Sequence, residues 1–199
     1  MDECAESLIN SLKARTSAVP VMAVAYSMGG HILRIVADIH PEWFDKVILL
    51  ACFPHTGMTV KACWNSYWNI PGPFTNGSLR PRSGSLKLTK VEHVRRFLFH
   101  DDPTRFQNSE LELILEHCRP EPSWPCFQLG MTGFRQPAPP LQIERAVAWI
   151  PEKDNLSPHR SFPNEPTIAV RTCSGGHGFV FSDAIMRHVI DESIRLLNV

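Results

Sequence analysis

Residues 21 to 53 constrain the fold more than any other part of this chain. Val21-Met22-Ala23-Val24-Ala25-Tyr26 is a short, continuous apolar run, and Ser27-Met28-Gly29-Gly30 turns it at once into a segment with Ile32, Leu33, Ile35, Val36 and Ile39 at helical spacing, which Pro41 stops. Runs without polar alternation mark strands covered on both faces of a parallel sheet, and the 3.6-residue rhythm is that of a helix lying on such a sheet. Lys46 to Phe53 then supplies a second apolar run. Strand, helix and strand in this order form a βαβ unit, whose crossover is right-handed in nearly every known case. The rest of the chain must be built around a parallel sheet with helices on its faces.

Ala5, Leu8, Ile9 and Leu12 predict a helix ahead of this unit, ended by Thr16 to Pro20. Between Pro54 and Pro140 the composition changes: Trp64, Trp68, Pro71, Pro73, Gly77 and Pro81, and further on Pro120, Pro122 and Pro125, break any long element. Residues 57–140 therefore read as an insertion, with helical spacing at Val91 to Phe99 and Ser109 to Cys118. Ala146 to Ile150 and Thr167 to Val170 return as strands. A loop with Gly175, Gly176 and Gly178 follows, and then a last helix from about Asp183, N-capped by Ser182, that buries Ile185, Met186, Val189, Ile190, Ile194 and Leu197. The expectation is an α/β protein whose core comes from residues 1–56 and 141–199, with 57–140 as a helical cap. Its four strands should be parallel neighbours in chain order.

Composition excludes several functions. With 199 residues one domain is expected, and 20 Lys+Arg against 20 Asp+Glu leave no surplus of positive charge for general nucleic-acid binding. No apolar run approaches the ~18 residues that span a bilayer. The acidic start, Met1-Asp2-Glu3-Cys4, lacks the basic and apolar regions of a signal peptide, so a cytoplasmic, reducing setting is expected. Six scattered cysteines form no C-x-x-C pair, nine histidines form no H-E-x-x-H, and the phosphate-binding G-x-x-x-x-G-K is missing, so neither a metal nor a cofactor is expected.

Three residues stand where chemistry could be done. Ser27 lies in the tight strand-to-helix turn, which lifts a hydroxyl clear of the backbone, next to helix N–H groups suited to an oxyanion. A hydroxyl attacks only when a base takes its proton, and a base imidazole needs an acid to fix its tautomer. Glu152-Lys153-Asp154-Asn155 puts an acid just past one strand, and Gly175-Gly176-His177-Gly178 puts a histidine just past the next. In a parallel sheet those strand ends share the edge at which Ser27 sits.

Ala25-Tyr26-Ser27-Met28-Gly29-Gly30, Glu152-Lys153-Asp154 and Gly176-His177-Gly178 resemble the nucleophile turn, acid loop and histidine loop of the α/β-hydrolase superfamily. Leu50-Ala51-Cys52-Phe53-Pro54 and Phe97-Leu98-Phe99-His100-Asp101-Asp102-Pro103 are similar to its esterase and hydroxynitrile-lyase-like branch as found in fungi. The resemblance implies a serine esterase with Ser27 as nucleophile, His177 as base, Asp154 as its orienting acid and the Met28 N–H in the oxyanion hole. Tyr26, Trp64, Trp68 and Phe74, with Phe97, would contact a small, partly apolar ester. In the family, strands and a second oxyanion donor precede the nucleophile; here 26 residues do. A shortened fold is therefore expected, with a bare first strand edge that invites self-association. A cyanohydrin-type lyase using the same residues, and a fold that binds a ligand or partner without turnover, are the alternatives.

Overall fold

The computed structural model describes residues 2–14, 20–54, 91, 107–117, 137–154, 162 and 165–198. The elements are α1 (Asp2–Lys13), β1 (Val21–Tyr26), α2 (Gly29–Ile39), β2 (Phe44–Leu50), α3 (Asn108–His117), β3 (Ala146–Pro151), β4 (Ile168–Cys173) and α4 (Asp183–Leu197). Short 3-10 turns occupy Pro41–Trp43 and His177–Phe181. The expected helix at Val91 to Phe99 lies outside the described residues except for Val91, as do Trp64, Trp68, Phe74 and Phe97.

The four strands form one sheet in the order β1-β2-β3-β4, every pairing parallel. Tyr26 pairs with Leu50, Leu50 with Trp149, and Trp149 with Arg171, which brings the carboxyl ends of all four strands to one edge. Alternate residues feed two cores, as the pleat requires. Val47 and Leu49 join Ala146, Ala148 and Ile150 beneath α1 and α2, packing with Ala5, Ile9, Leu33 and Val36. Ile48 and Leu50 join Val147 and Trp149 on the other face, packing with Phe179, Ile185, Val189 and Leu197. Every residue of β3 is buried. Among the described residues no helix is long and apolar enough to cross a membrane.

Several sequence expectations need correction. The second strand runs over Phe44–Leu50, not to Phe53, because Ala51 adopts the left-handed region at φ 50° and turns the chain out of the ladder. β4 continues past Val170 to Cys173 because its pairing with β3 continues, Thr172 opposite Ile150 and Cys173 opposite Pro151, while the Arg171 and Thr172 side chains are exposed. β1 is not covered on both faces. Ala23 and Ala25 pack under α1 and α2, while Met22 and Val24 on the opposite face are 46% and 57% exposed. On α4 the buried stripe is Ile185, Val189, Ser193 and Leu197, leaving Ile190 and Ile194 exposed. Ser193 takes the central place because the buried Trp149 indole needs an acceptor: its Nε1–H donates to Ser193 Oγ at 2.9 Å. Ser182 does precede α4, accepting the Met186 N–H at its carbonyl at 2.9 Å, but its hydroxyl makes no capping bond.

One buried ion pair ties the two halves of the sheet together. Arg34 of α2 and Glu165, ahead of β4, are 1% and 3% exposed and form a two-pronged contact, with Nη2 donating to Oε2 at 3.0 Å. Glu165 Oε1 also accepts the Leu141 N–H at 2.8 Å, and the Arg34 guanidinium lies over the Phe162 ring. Apart from breaking a helical apolar pattern, neither residue's sequence neighbourhood announces it.

Candidate active site

The turn after β1 is shaped by contacts, not by a glycine at its centre. Ser27 has φ 51°, a left-handed conformation that costs a non-glycine residue of order 1–3 kcal/mol and persists only where its surroundings enforce it. Here the Ser27 N–H donates to Leu50 O at 2.9 Å, carrying the β1–β2 ladder one residue past the strand, and the Ser27 carbonyl accepts the Gly30 N–H at 3.2 Å. The Met28 carbonyl then opens α2 by accepting from His31 at 3.0 Å. Gly30 is where α2 and the chain leaving β2 touch: a Cβ there would stand 2.6 Å from Cys52 Sγ and 2.7 Å from Cys52 Cβ. Ala25 is accommodated in this turn, since even a Cβ on Gly29 would meet its methyl at an ordinary 3.9 Å.

Asp154 and His177 arrive from β3 and β4 through loops bonded to each other. The Glu152 N–H donates to Cys173 O at 2.9 Å and the Lys153 N–H to Gly175 O at 3.1 Å. Gly175 takes φ 100°, the one positive-φ glycine among the described residues, and lets the chain fold back to present His177. The 3-10 turn that starts at His177 is held by Phe179, whose side chain is 1% exposed in the core.

These segments place His177 Nδ1 2.9 Å from Asp154 Oδ2 and His177 Nε2 2.9 Å from Ser27 Oγ. A neutral imidazole that donates Nδ1–H to the carboxylate must accept at Nε2, so the Ser27 hydroxyl is the donor in the second bond. The Asp154 and His177 side chains are 0% and 6% exposed, which confines the charge of the acid to the imidazole and its neighbours. Chemically, such an array can draw a proton from the serine hydroxyl, hold it on the ring, and return it to a leaving group.

No protein-family model and no curated protein matches the sequence. Solved structures do match in three dimensions. A mutant of a meta-cleavage product hydrolase superposes with a TM-score of 0.63 at 16% identity, over 98% of this chain and 71% of that one. A marine microorganism esterase gives 0.62 at 18%, over 97% and 76%. A carboxylesterase structure from the ammonia-oxidizing thaumarchaeon Nitrososphaera gargenis gives 0.62 at 14%, over 99% and 72%. The chain has the α/β-hydrolase fold.

In this α/β-hydrolase fold Ser27 occupies the turn between β1 and α2, while Asp154 and His177 follow β3 and β4. Met28 stands at the start of α2, where backbone N–H groups are not used by the helix ladder and the helix dipole is positive. Tyr26, the residue before Ser27, reaches the histidine turn. Its hydroxyl donates to the His177 carbonyl oxygen at 2.9 Å and its ring lies 5.2 Å from the imidazole, tilted by 39°. Burial, followed by the charges of Asp154 and Cys52, holds the Tyr26 phenol protonated well above its usual range. Burial likewise pushes the Cys52 thiol up to about 12. Sequence reasoning missed the Tyr26 contact, since a side chain bonded to a backbone carbonyl leaves no mark on the partner's identity. Among the described residues no group of three or more His, Cys, Asp or Glu is placed to hold a metal ion.

Proposed function

We propose that the protein is a serine hydrolase that cleaves an ester or related acyl bond of a small, partly apolar molecule. The observation that supports this reading is the continuous bonding from Ser27 Oγ to His177 Nε2 and from His177 Nδ1 to Asp154 Oδ2, each 2.9 Å, at the carboxyl edge of the sheet. Ser27 Oγ attacks the acyl carbon as its proton passes to His177 Nε2, and Asp154 stabilises the resulting imidazolium. The oxygen of the tetrahedral intermediate takes up negative charge beside the Met28 N–H at the positive end of α2. Collapse of that intermediate breaks the acyl–oxygen bond. His177 returns the proton to the leaving alcohol, and an acyl group stays on Ser27. Water then repeats the sequence and releases the acid.

Fluorophosphonate labelling tests the proposal. Wild-type protein should be labelled at Ser27 and should release acid from p-nitrophenyl butyrate, and Ser27→Ala should lose both. Labelling that survives Ser27→Ala, or wild-type protein that neither labels nor turns over, would overturn the reading, the second result favouring a fold that binds without turnover.

A further inference from the structure

We infer that Tyr26 is a positioning residue for His177, anchoring the backbone of the histidine turn so that the imidazole reaches Ser27, and that it does not contact substrate. The inference rests on the hydrolase reading above and adds to it a residue outside the serine, histidine and acid.

Tyr26 is the last residue of β1 and pairs with Leu50, so its Cα is fixed by the sheet. Its hydroxyl reaches out of the strand end and donates to the His177 carbonyl at 2.9 Å. The adjacent residue, Ser27, meets the same histidine at the ring, Oγ to Nε2 at 2.9 Å. Two consecutive side chains of β1 and its turn thus hold one residue of the other half of the chain at two points, backbone and ring. Asp154 supplies a third, at Nδ1. Such a hold is needed here. The chain reaches His177 through Gly175 at φ 100°, a residue whose backbone has the widest conformational freedom of any, and a serine–imidazole bond tolerates only a few tenths of an ångström of drift. The phenol is also a constant donor: burial keeps it protonated throughout the range in which an imidazole works.

Tyr26→Phe in the full chain removes the hydroxyl and keeps the ring against His177. A hydrogen bond of this kind is worth up to about tenfold in an equilibrium. With p-nitrophenyl butyrate, kcat should fall roughly tenfold while KM stays within a factor of about two, and fluorophosphonate labelling of Ser27 should slow by the same factor. Diethyl pyrocarbonate, which modifies accessible imidazoles without turnover, should react with His177 several times faster in the variant. A rise in KM with kcat unchanged would make Tyr26 a substrate contact and overturn the inference. So would unchanged kcat, labelling and modification rates with only a lower melting temperature, the mark of a purely structural bond. Failure of the parent reading shows separately, in wild-type protein that is not labelled at Ser27, and the positioning role falls with it.

Discussion

Gly29 and Gly30 stand side by side at the start of α2, and the two should respond oppositely to the same methyl group. A Cβ at position 29 finds only the Ala25 methyl at 3.9 Å, whereas one at position 30 would lie 2.6 Å from Cys52 Sγ and 2.7 Å from Cys52 Cβ. To reach the ~3.5 Å of an ordinary carbon contact, α2 and the chain leaving β2 must part by roughly 1 Å. The thiol cannot simply swing aside, because it is buried within reach of the Ala25 and Leu50 carbonyls at 3.3 and 3.4 Å, and its Cβ is tied to the backbone. Overpacking of this kind costs about 1–3 kcal/mol. Both substitutions share a gain in helix propensity of up to about 1 kcal/mol, so the difference between them isolates the packing. Gly29→Ala should leave stability unchanged or slightly raised. Gly30→Ala should melt below Gly29→Ala by about 2–12 °C, at 2–4 °C per kcal/mol for a chain of this size. It should also label more slowly with fluorophosphonate, since the Gly30 N–H is bonded to the Ser27 carbonyl. Thermal denaturation followed by circular dichroism decides the matter: if the two variants melt together, the crowding argument is wrong.

Other expectations follow from buried groups and from β1. The unfolded chain gives up the Cys52 proton near pH 9 while the folded chain keeps it to about 12, so this thiol's contribution to stability is complete below pH 9 and drains away as pH rises towards 12. Over that window urea-unfolding free energy should fall more steeply for wild type than for Cys52→Ala, by up to about 1.4 kcal/mol per pH unit, and parallel profiles would refute the assignment. Arg34→Met should cost about 3–5 kcal/mol by leaving Glu165 charged and buried, with much of it recovered in the double variant with Glu165→Gln. A single variant within about 1 kcal/mol of wild type in urea unfolding would show the pair to be dispensable. We further expect the chain to self-associate through β1, whose outer edge carries no strand among the described residues. Val24→Lys should then raise the monomer fraction in sedimentation, and an identical oligomer distribution would count against that edge.

What the sequence makes legible depends on where the reason for a residue lies. β3 and the Val47 to Leu50 stretch of β2 are plain because both faces of the sheet are buried there, so those positions must be apolar. The end of β2 is not plain, since nothing about alanine announces that Ala51 will take φ 50°. The face of α4 is misread when only apolar residues are counted, because Ser193 is buried to serve an indole across the core. Arg34 and Glu165 are 131 residues apart, and each alone looks like a surface charge. Ser27, Asp154 and His177 can be singled out because each sits at a local landmark, the end of an apolar strand, where a polar side chain has few structural reasons to be. Tyr26 is singled out only as an aromatic substrate contact, and its bond to the His177 backbone escapes notice, because the ring suits a strand end whatever its hydroxyl does.

The chain order of the sheet also governs when the protein can become reactive. β1 and β2 are linked through α2, and β3 and β4 through residues 152–167, so each pair closes over a short stretch of chain. The seam between β2 and β3 joins segments separated by residues 51–145, and closing a longer loop costs more entropy and takes longer. Ser27 rides on the first pair, and Asp154 and His177 ride on the second. During refolding the bond from His177 to Asp154 can therefore form early within one half. The bond from His177 to Ser27 must wait until Val47 to Leu50 zip against Ala146 to Trp149. Reactivity of Ser27 towards fluorophosphonate should return with the slowest refolding phase and lag behind the recovery of helical signal, making the serine a clock for the last long-range pairing of the fold; reactivity that returned with the first burst of structure would place the seam earlier.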